Sequence, residues 1–149
     1  MTQDEKYMYL AIDQAKTAAN LDEVPVGAVI VYNNIVISSG YNKREKLNNA
    51  LYHAEIEAIN GACKYLKRWR LIDCHLYVTL EPCAMCAGAI INARISRVIY
   101  GASDPKSGSC GSIINLFDLP YNHRPKILNE VLKEECSQIL KDFFGKLRK

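Results

Sequence analysis

The sequence predicts an α/β fold in which helices cover a mixed sheet. Three observations point to it: β-branched runs alternate with segments of helical periodicity, the first two runs read as a hairpin, and helices separate the later runs as in parallel crossovers. No internal repeat, low-complexity run or linker divides the chain, so we expect one domain over residues 1–149. With 49% apolar residues, such a domain can build its core without disulfides.

The first half of the chain predicts a helix, a hairpin and a second helix. Residues Asp4–Ala19 carry apolar side chains at spacings of three and four, the pattern of an amphipathic helix. In "VPVGAVIVYNNIVISSGYN" two β-branched runs flank Asn33–Asn34, and asparagine tolerates the backbone of a two-residue hairpin turn. Residues His53–Leu66 form the next predicted helix, with alanines at every fourth position along one side.

The second half continues the alternation and ends in a helix. The predicted elements are a strand at Cys74–Leu80, a short apolar helix at Ala84–Ala93, a strand at Arg97–Ala102, a short strand near Lys126–Leu128 and a helix over roughly Glu130–Leu147. The intervening stretch "SDPKSGSCGS" is punctuated by proline and glycine and predicts a loop. The sheet is therefore expected to begin antiparallel and to continue parallel.

Composition and charge indicate the compartment and the kinds of partner to expect. The formal charge of +3 permits an anionic partner without requiring one. No stretch approaches the roughly 20 apolar residues of a membrane span. The start, "MTQDEKYMYL", is acidic where a targeting peptide is basic. We therefore expect a cytoplasmic protein with no membrane partner. In that reducing compartment a disulfide between Cys83 and Cys86 is disfavoured.

The stretch "EPCAMC" places Cys83 and Cys86 at the start of a predicted helix, directly after a strand. Side chains three residues apart on a helix share a face, so both sulfurs can reach one ion. The electropositive helix N-terminus also favours the thiolates that a metal needs. Redox pairs begin helices in the same way, so this pair alone leaves metal binding and redox chemistry open.

The stretch "HAE" supplies a third candidate ligand, His53. One histidine and two cysteines suit zinc, and no further cysteine stands nearby at ligand spacing. Three protein ligands leave a fourth position for water, as in catalytic zinc sites. Glu55 is then the candidate base, provided that it and His53 occupy an irregular first helical turn. The competing interpretations are an ordinary histidine at a helix start and an acid favoured by the helix dipole.

The pattern H-x-E…P-C-x-x-C is the known signature of zinc nucleobase deaminases. Beyond this motif, the chain resembles the bacterial tRNA-specific adenosine deaminases of the zinc-dependent cytidine/deoxycytidylate deaminase superfamily. The matching stretches run in order through nearly the whole chain: "EVPVGAVIV", "GYN", "HAEIEAI", "RLIDCHLYVTLEPCAMCAGAIINARISRVIYGASD", "KSGSCGS", "NHRP" and "KDFFGKLRK". Two departures are "NNALYHAE", which differs from the loop expected before the histidine, and Cys110, which we interpret as a space-filling thiol.

The resemblance implies a cytidine-deaminase-like fold, a three-layer α/β/α sandwich with a five-stranded mixed sheet. It also implies a homodimer with one zinc ion per subunit. The implied activity is the conversion of adenosine to inosine at the wobble position of an arginine tRNA, whose anticodon stem-loop is the expected partner. RNA recognition mostly targets loops because their bases are already unstacked, which suits an enzyme that must extrude its base.

The resemblance also assigns roles to residues. His53, Cys83 and Cys86 correspond to zinc ligands, and Glu55 corresponds to the proton shuttle. We predict that a bound zinc ion lowers the pKa of water and that Glu55 takes the proton. As the hydroxide attacks C6 of adenine, Glu55 delivers this proton to a ring nitrogen. Glu55 then hands a second proton, taken from the hydroxyl group of the tetrahedral centre, to the amino group, which leaves as ammonia. The residues implied at the substrate are Asn42 in "GYN", Asp104 in "GASD" and Asn122 in "YNHR".

Two basic segments are candidates for RNA contact. The tail interleaves cations with aromatics, at Lys141, Phe143, Phe144, Lys146, Arg148 and Lys149, a combination that binds phosphates and stacks bases. The competing interpretation is a solvated amphipathic helix whose phenylalanines pack on the core. The segment "KYLKRWR" is interpreted as a solvated face with a partly buried Trp69.

Two alternatives remain open at this point. Enzymes with the same motif deaminate free guanine, deoxycytidylate or a riboflavin-pathway pyrimidine, and the spacing does not separate these substrates from tRNA. A structural zinc module that binds RNA without catalysis is the non-enzymatic alternative. Glu55 disfavours that alternative because a purely structural site has no use for a carboxylate beside its histidine ligand.

Overall fold

A computed structural model describes residues 1–147. Four helices, five strands and one 3₁₀ turn make up this part of the chain. In order they are α1 (Gln3–Asn20), β1 (Gly27–Tyr32), β2 (Ile35–Tyr41), α2 (Ala54–Leu66), β3 (Cys74–Leu80), α3 (Ala84–Ala93), β4 (Arg97–Ala102), the 3₁₀ turn Leu116–Asp118, β5 (Lys126–Leu128) and α4 (Lys133–Leu147). Within the described range, no helix has the length and apolar character needed to cross a bilayer.

The five strands form one mixed sheet in the order β2-β1-β3-β4-β5. β1 pairs antiparallel with β2 and β3, whereas β4 runs parallel to β3 and β5. The hairpin between β1 and β2 turns at Asn33 and Asn34, both with positive φ angles, 50° and 62°. Two successive left-handed residues define the turn whose twist matches paired strands. The predicted mixed sheet is confirmed.

Helices cover both faces of the sheet, which confirms the predicted three-layer α/β/α sandwich. Alternate side chains of β1 enter different cores: Ala28 and Ile30 belong to the core under α2 and α3, and Val29 and Val31 to the core under α1. This alternation follows from the period of two in a strand. The core under α2 and α3 contains the alanines of the predicted seam, Ala54, Ala58 and Ala62, which are fully buried.

Two helices begin at the same edge of the sheet and define the site described below. α2 has His53 as its N-cap residue and α3 has Cys83, and both residues have extended backbone angles. The histidine motif differs from the expected irregular first turn: His53 precedes the helix as its N-cap residue, and Glu55 is the second residue of α2. The regular helical separation of residues two apart therefore does not apply to this pair. Gly40 on β2 permits the close approach of α2, since a Cβ there would overlap the Ala54 carbonyl oxygen.

The structure differs from the sequence predictions at two further places. α4 begins at Lys133 rather than near Glu130, because Glu130 and Leu132 have φ angles of 63° and 53°, which a right-handed helix cannot contain. Trp69, expected to be partly buried, is 54% exposed. The guanidinium groups of Arg70 and Arg94 lie over its ring, 4.3 and 5.7 Å from its centroid. The predicted cations Arg148 and Lys149 lie outside the described residues.

Candidate metal centre and active-site cavity

The side chains of His53, Cys83 and Cys86 converge at the facing N-termini of α2 and α3. The Nδ1 atom of His53 lies 3.6 Å from each of the two sulfurs. All three ligand atoms lie within 4.8 Å of one another. A tetrahedral ion with bonds of about 2.0 Å to nitrogen and 2.3 Å to sulfur bridges separations of this size.

The protonation states of the three groups suit a cation. The hydrogen bond from the Cys86 thiol, together with His53, lowers the pKa of Cys83 to about 4, so this sulfur is a thiolate at neutral pH. The same hydrogen bond and burial raise the pKa of Cys86. The bond to Cys83 also raises the pKa of His53. Metal binding needs deprotonated sulfurs and a neutral imidazole, so a divalent cation at this cluster would displace the protons that these groups hold. The donor set fits zinc.

Within residues 1–147, no further histidine, cysteine or carboxylate joins this cluster. Cys110, a cysteine of the loop after β4, is 3% exposed and packs in the core under α2 and α3. Burial raises the pKa of its thiol, so it is a neutral side chain that fills space. Three protein ligands in the described chain are the number found at catalytic zinc centres.

Glu55 lies in the first turn of α2 and is 3% exposed. Burial is the main reason why the pKa of its carboxyl rises to about 7. A group with a pKa near the working pH gives and takes protons with similar ease, as general acid–base catalysis requires. A divalent cation at the adjacent ligands would favour the ionised form and lower this pKa.

A cavity of about 180 Å³ opens beside the ligand cluster. Its walls come from the segment before β1, the end of β2, the start of α2, the end of β3 and the loop after β4. The lining residues are Val24, Val26, Asn42, Arg44, His53, Ala54, Glu55, Leu80, Glu81, Cys83, Asp104 and Ser107. Because a cavity of about 150 Å³ accommodates benzene, this one suits a single planar heterocycle with its remainder outside.

Two of the three residues implied at the substrate line this cavity. Asn42 is 6% exposed, and its side chain donates to the Val24 carbonyl (3.3 Å) and accepts from the Arg44 amide (3.4 Å). Asp104 also lines the cavity, but its carboxylate accepts from the Lys106 amide and from Ser107 in its own turn.

Asn122, the third residue, lies elsewhere. It is exposed, it precedes β5, and it is not among the residues that line the cavity. Its predicted contact with the nucleotide therefore has no counterpart in the geometry of a single chain. The prediction for Asn122 stays untested.

Sequence reasoning missed several residues at the cavity. Arg44 and Ser107 line its mouth, and Glu81 lines it from the end of β3. Arg44 belongs to a charged run that resembles any solvated loop, and Ser107 belongs to a loop rich in small residues. The signal that the sequence offers for Glu81 is its position directly before Pro82 and Cys83. The structure adds that Glu81 is buried, so its carboxylate needs hydrogen-bond donors.

The described part of the tail carries exposed cations, Lys141 and Lys146, on either side of two phenylalanines. The rings of Phe143 and Phe144 meet edge to face, 5.4 Å apart. Phe144 is 40% exposed and Phe143 is half-buried. Neither ring is among the side chains that pack against the two cores in the described part of the chain, and contact of this segment with RNA stays a prediction.

Known proteins resemble this chain over nearly its whole length. A sequence model of the MafB19-like deaminase family matches residues 2–148. The tRNA-specific adenosine deaminase of Bacillus subtilis (strain 168) is 48% identical, over 100% of this chain and 93% of that protein. A solved structure from a study of A-to-I editing by tRNA:A34 deaminases superposes with a TM-score of 0.88 at 44% identity, over 91% and 99% of the two chains. The structure of guanine deaminase from Bacillus subtilis gives a TM-score of 0.65 at 34% identity, over 97% and 92%.

Proposed function

Because this chain belongs, over nearly its full length, to the MafB19-like deaminases and to the family of tRNA-specific adenosine deaminases, we propose that it converts adenosine to inosine at the wobble position of a tRNA anticodon. The observation that carries the proposal is the Glu55 carboxyl. It is buried at a base-sized cavity and adjoins the cluster of His53, Cys83 and Cys86. The arginine tRNA implied by the resemblance is the substrate that we test first.

We propose that His53, Cys83 and Cys86 hold one zinc ion per subunit. The chemistry of the three donors supports this assignment, because imidazole and thiolate ligands select zinc over magnesium or calcium. When bound, zinc lowers the pKa of a water molecule and so supplies a nucleophile at neutral pH. The electropositive N-termini of α2 and α3 help to hold the thiolate charge.

Glu55 would carry the protons of the reaction. Its carboxylate accepts a proton from the attacking water and delivers it to a ring nitrogen of adenine, which makes C6 electrophilic. It then takes a second proton from the hydroxyl group that the addition placed on C6 and transfers it to the amino group, which leaves as ammonia. The pKa of about 7, raised by burial, keeps both directions of transfer accessible. The walls formed by Val24, Val26 and Leu80 exclude bulk water from this exchange.

The cavity would receive the extruded base, and the rest of the nucleotide would lie at its mouth. Asn42 is proposed as the contact to the base because its amide is buried at the cavity wall and fixed by two hydrogen bonds. Asp104 and Asn122 are proposed as nucleotide contacts from the resemblance. Asp104 would act through a turn that its carboxylate already organises.

We also propose that the protein is a homodimer in the cytoplasm, where tRNA is found. Support for the dimer comes from exposed apolar side chains on the two segments that flank the site: Leu47 and Leu51 before α2, and Ile113 and Ile114 after β4. A partner subunit covering these side chains would remove them from water. A mass measurement by light scattering on the purified chain distinguishes a dimer from a monomer.

The similarity to a guanine deaminase favours one competing substrate, free guanine. That structure is less similar to this chain than the tRNA:A34 deaminase structure, by both identity and TM-score. The structural zinc module, the non-enzymatic alternative, leaves the buried Glu55 without a role. The tRNA substrate is therefore the stronger proposal.

A substrate panel tests the proposal. The zinc-loaded protein is incubated with an arginine-tRNA anticodon stem-loop, with the same stem-loop carrying guanosine at the wobble position, and with free adenosine, cytidine and guanine. We expect inosine only in the first stem-loop, identified by mass spectrometry of the digested RNA. Turnover of free guanine without turnover of the RNA would overturn the proposal.

A further inference from the structure

Two buried carboxylates lie outside the proposed chemistry. Glu23 is 1% exposed and Glu81 is 2% exposed. A buried carboxylate needs hydrogen-bond donors to replace water, because it can only accept. Neither residue forms an ion pair within the described part of the chain. Both instead accept from the backbone of segments distant in sequence.

Glu81 gathers the loop that follows β4. Its carboxylate accepts from the backbone amides of Asp104, Cys110 and Ser112, each at 3.0 Å, and from the Ser112 hydroxyl. Gly108 lies against the same group, since a Cβ there would overlap the Glu81 carboxyl. One side chain at the end of β3 thus fixes both ends of the loop of residues 104–112.

Glu23 holds a second segment in the same manner. Its two carboxylate oxygens accept from the backbone amides of Glu45 (3.1 Å) and Lys46 (2.6 Å). These amides belong to the segment of residues 43–52, which has no regular secondary structure and leads from β2 to α2. Without the Glu23 carboxylate, these two backbone amides would lose the acceptors of their hydrogen bonds.

Each anchored segment contributes to the cavity wall. The segment held by Glu81 carries Asp104 and Ser107, and the segment held by Glu23 carries Arg44. By contrast, the proposed ligands and Glu55 belong to α2, α3 and their N-caps. Loosening of either segment would therefore alter the cavity where the nucleotide binds before it altered the ligand cluster.

From these contacts we infer that Glu23 and Glu81 are positioning residues, which hold two segments of the cavity wall in the conformation that receives the nucleotide. The inference rests on the proposed function for the identity of the substrate. Neither carboxylate touches the reacting atoms in this account. They act through the backbone amides that they accept from.

Isosteric substitutions test the inference. Gln has the shape of Glu but turns an amide donor toward backbone donors, so Glu81→Gln and Glu23→Gln remove acceptors without opening a void. Kinetics are measured on zinc-loaded protein with the anticodon stem-loop. We expect KM to rise roughly tenfold or more for each variant, with a smaller change in kcat and with zinc content unchanged.

Hydrogen–deuterium exchange locates the cause. In Glu81→Gln the amides of Cys110 and Ser112 should exchange faster while those of Glu45 and Lys46 do not, and Glu23→Gln should give the reverse. Ser112→Ala removes a single donor from an exposed residue, and it serves if Glu81→Gln fails to fold. We expect a smaller rise in KM from it. Ser39→Ala, at an exposed serine on β2, is the matched control and should leave KM unchanged.

Faster exchange of the loop with an unchanged KM would overturn the inference, because the segments would then be structural only. Unchanged exchange would also overturn it, because the carboxylates would not hold the segments. If the wild-type chain forms no inosine, it is the proposed function that fails. The exchange rates of the anchored amides then still test whether the two carboxylates hold the segments.

Discussion

Burial gives the Glu55 carboxyl the property that its proposed role requires. Desolvation raises its pKa to about 7, whereas an exposed glutamate stays near 4.3. Its neighbour His53 would bind the metal through Nδ1, the ring nitrogen that faces both sulfurs. A proton carrier and an ion would thus be held side by side by two residues, separated only by Ala54, at one helix start.

Replacement of Glu55 by glutamine tests this role. Glu55→Gln keeps the shape of the side chain but cannot take up a proton, so we expect kcat to fall by about 10² to 10⁴. Zinc content should stay equal to that of the wild-type chain, because Glu55 is not among the proposed ligands. Elemental analysis and the stem-loop assay measure the two quantities.

The control for this substitution is Glu134→Gln, at an exposed acid in the first turn of α4. It should leave both zinc content and turnover unchanged. Turnover retained by Glu55→Gln would show that another group carries the proton.

At the scale of elements, α2 must approach the sheet closely to bring its N-terminus to the site. Gly40 permits this approach, and we expect Gly40→Ala to push α2 away from β2, with a cost of about 1–3 kcal/mol and weaker zinc binding. Gly88→Ala is the matched change, since nothing lies within 4 Å of a Cβ at that position in α3. It should stabilise the fold by up to about 1 kcal/mol.

Denaturant titration and competition with a zinc chelator measure the two effects on the glycine variants. Equal stability of Gly40→Ala and the wild-type chain would contradict the close packing of α2 on β2.

α1 is joined to the sheet by an ion pair. Asp4 accepts two hydrogen bonds from Arg97 (2.8 and 2.9 Å) and one from the Tyr77 hydroxyl (2.6 Å). The Arg97 bond is the main reason why the pKa of Asp4 is lowered. Because the pair is about a quarter exposed, we expect Asp4→Asn to cost about 1 kcal/mol at neutral pH.

The pH dependence of this cost follows from the sign of the shift. A carboxyl with a lowered folded pKa stabilises the fold above its unfolded pKa, about 3.9, and loses that effect as pH falls through the folded value. The difference between Asp4→Asn and the wild-type chain should therefore be constant from pH 8 to pH 5 and shrink only below about pH 3.9. Asp13→Asn, at an exposed acid of α1, should show no such difference. Denaturant titrations across this pH range measure it.

Most element bounds could be predicted because they depend on local pattern. The strands β3, β4 and β5 and the helix α3 have the predicted bounds, since β-branched runs and the apolar stretch after Cys83 end at clear turn signals. The start of α4 could not be predicted, because nothing in the residue types of Glu130 and Leu132 announces positive φ angles. The surface contacts of Trp69 could be predicted only in part, because Arg70 is its neighbour in sequence, whereas Arg94, the C-cap residue of α3, is brought to its ring by the fold.

At the scale of the whole molecule, the site could be predicted only as far as its motifs reach. His53, Glu55, Cys83 and Cys86 belong to two short motifs that the fold brings together. The anchoring contacts of Glu23 and Glu81 could not be predicted, because their partners are backbone amides that lie 22 to 31 residues away in the sequence. The structural role of a buried carboxylate depends on which donors it accepts from. Here the donors are mostly backbone amides, which almost every residue carries, so the residue types give no signal.

Zinc should also stabilise the whole chain, since an ion that binds only the folded state adds to the free energy of unfolding. We expect a chelator to lower Tm by about 5–10 °C and added zinc to restore it. Cys86→Ser should have the lowered Tm with or without chelator. Cys110→Ser, which alters a buried thiol outside the cluster, should keep the response to chelator. A wild-type Tm that does not change when the chelator is added would contradict metal binding.

The ligand set can be measured directly by X-ray absorption at the zinc edge of the purified chain. We predict one zinc ion per chain with two sulfur neighbours at about 2.3 Å and two lighter neighbours at about 2.0–2.1 Å, one from His53 and one from water. Addition of the stem-loop should change the lighter shell and leave the sulfurs in place. A third sulfur neighbour, a shell filled by four protein donors, or the absence of zinc would contradict the account.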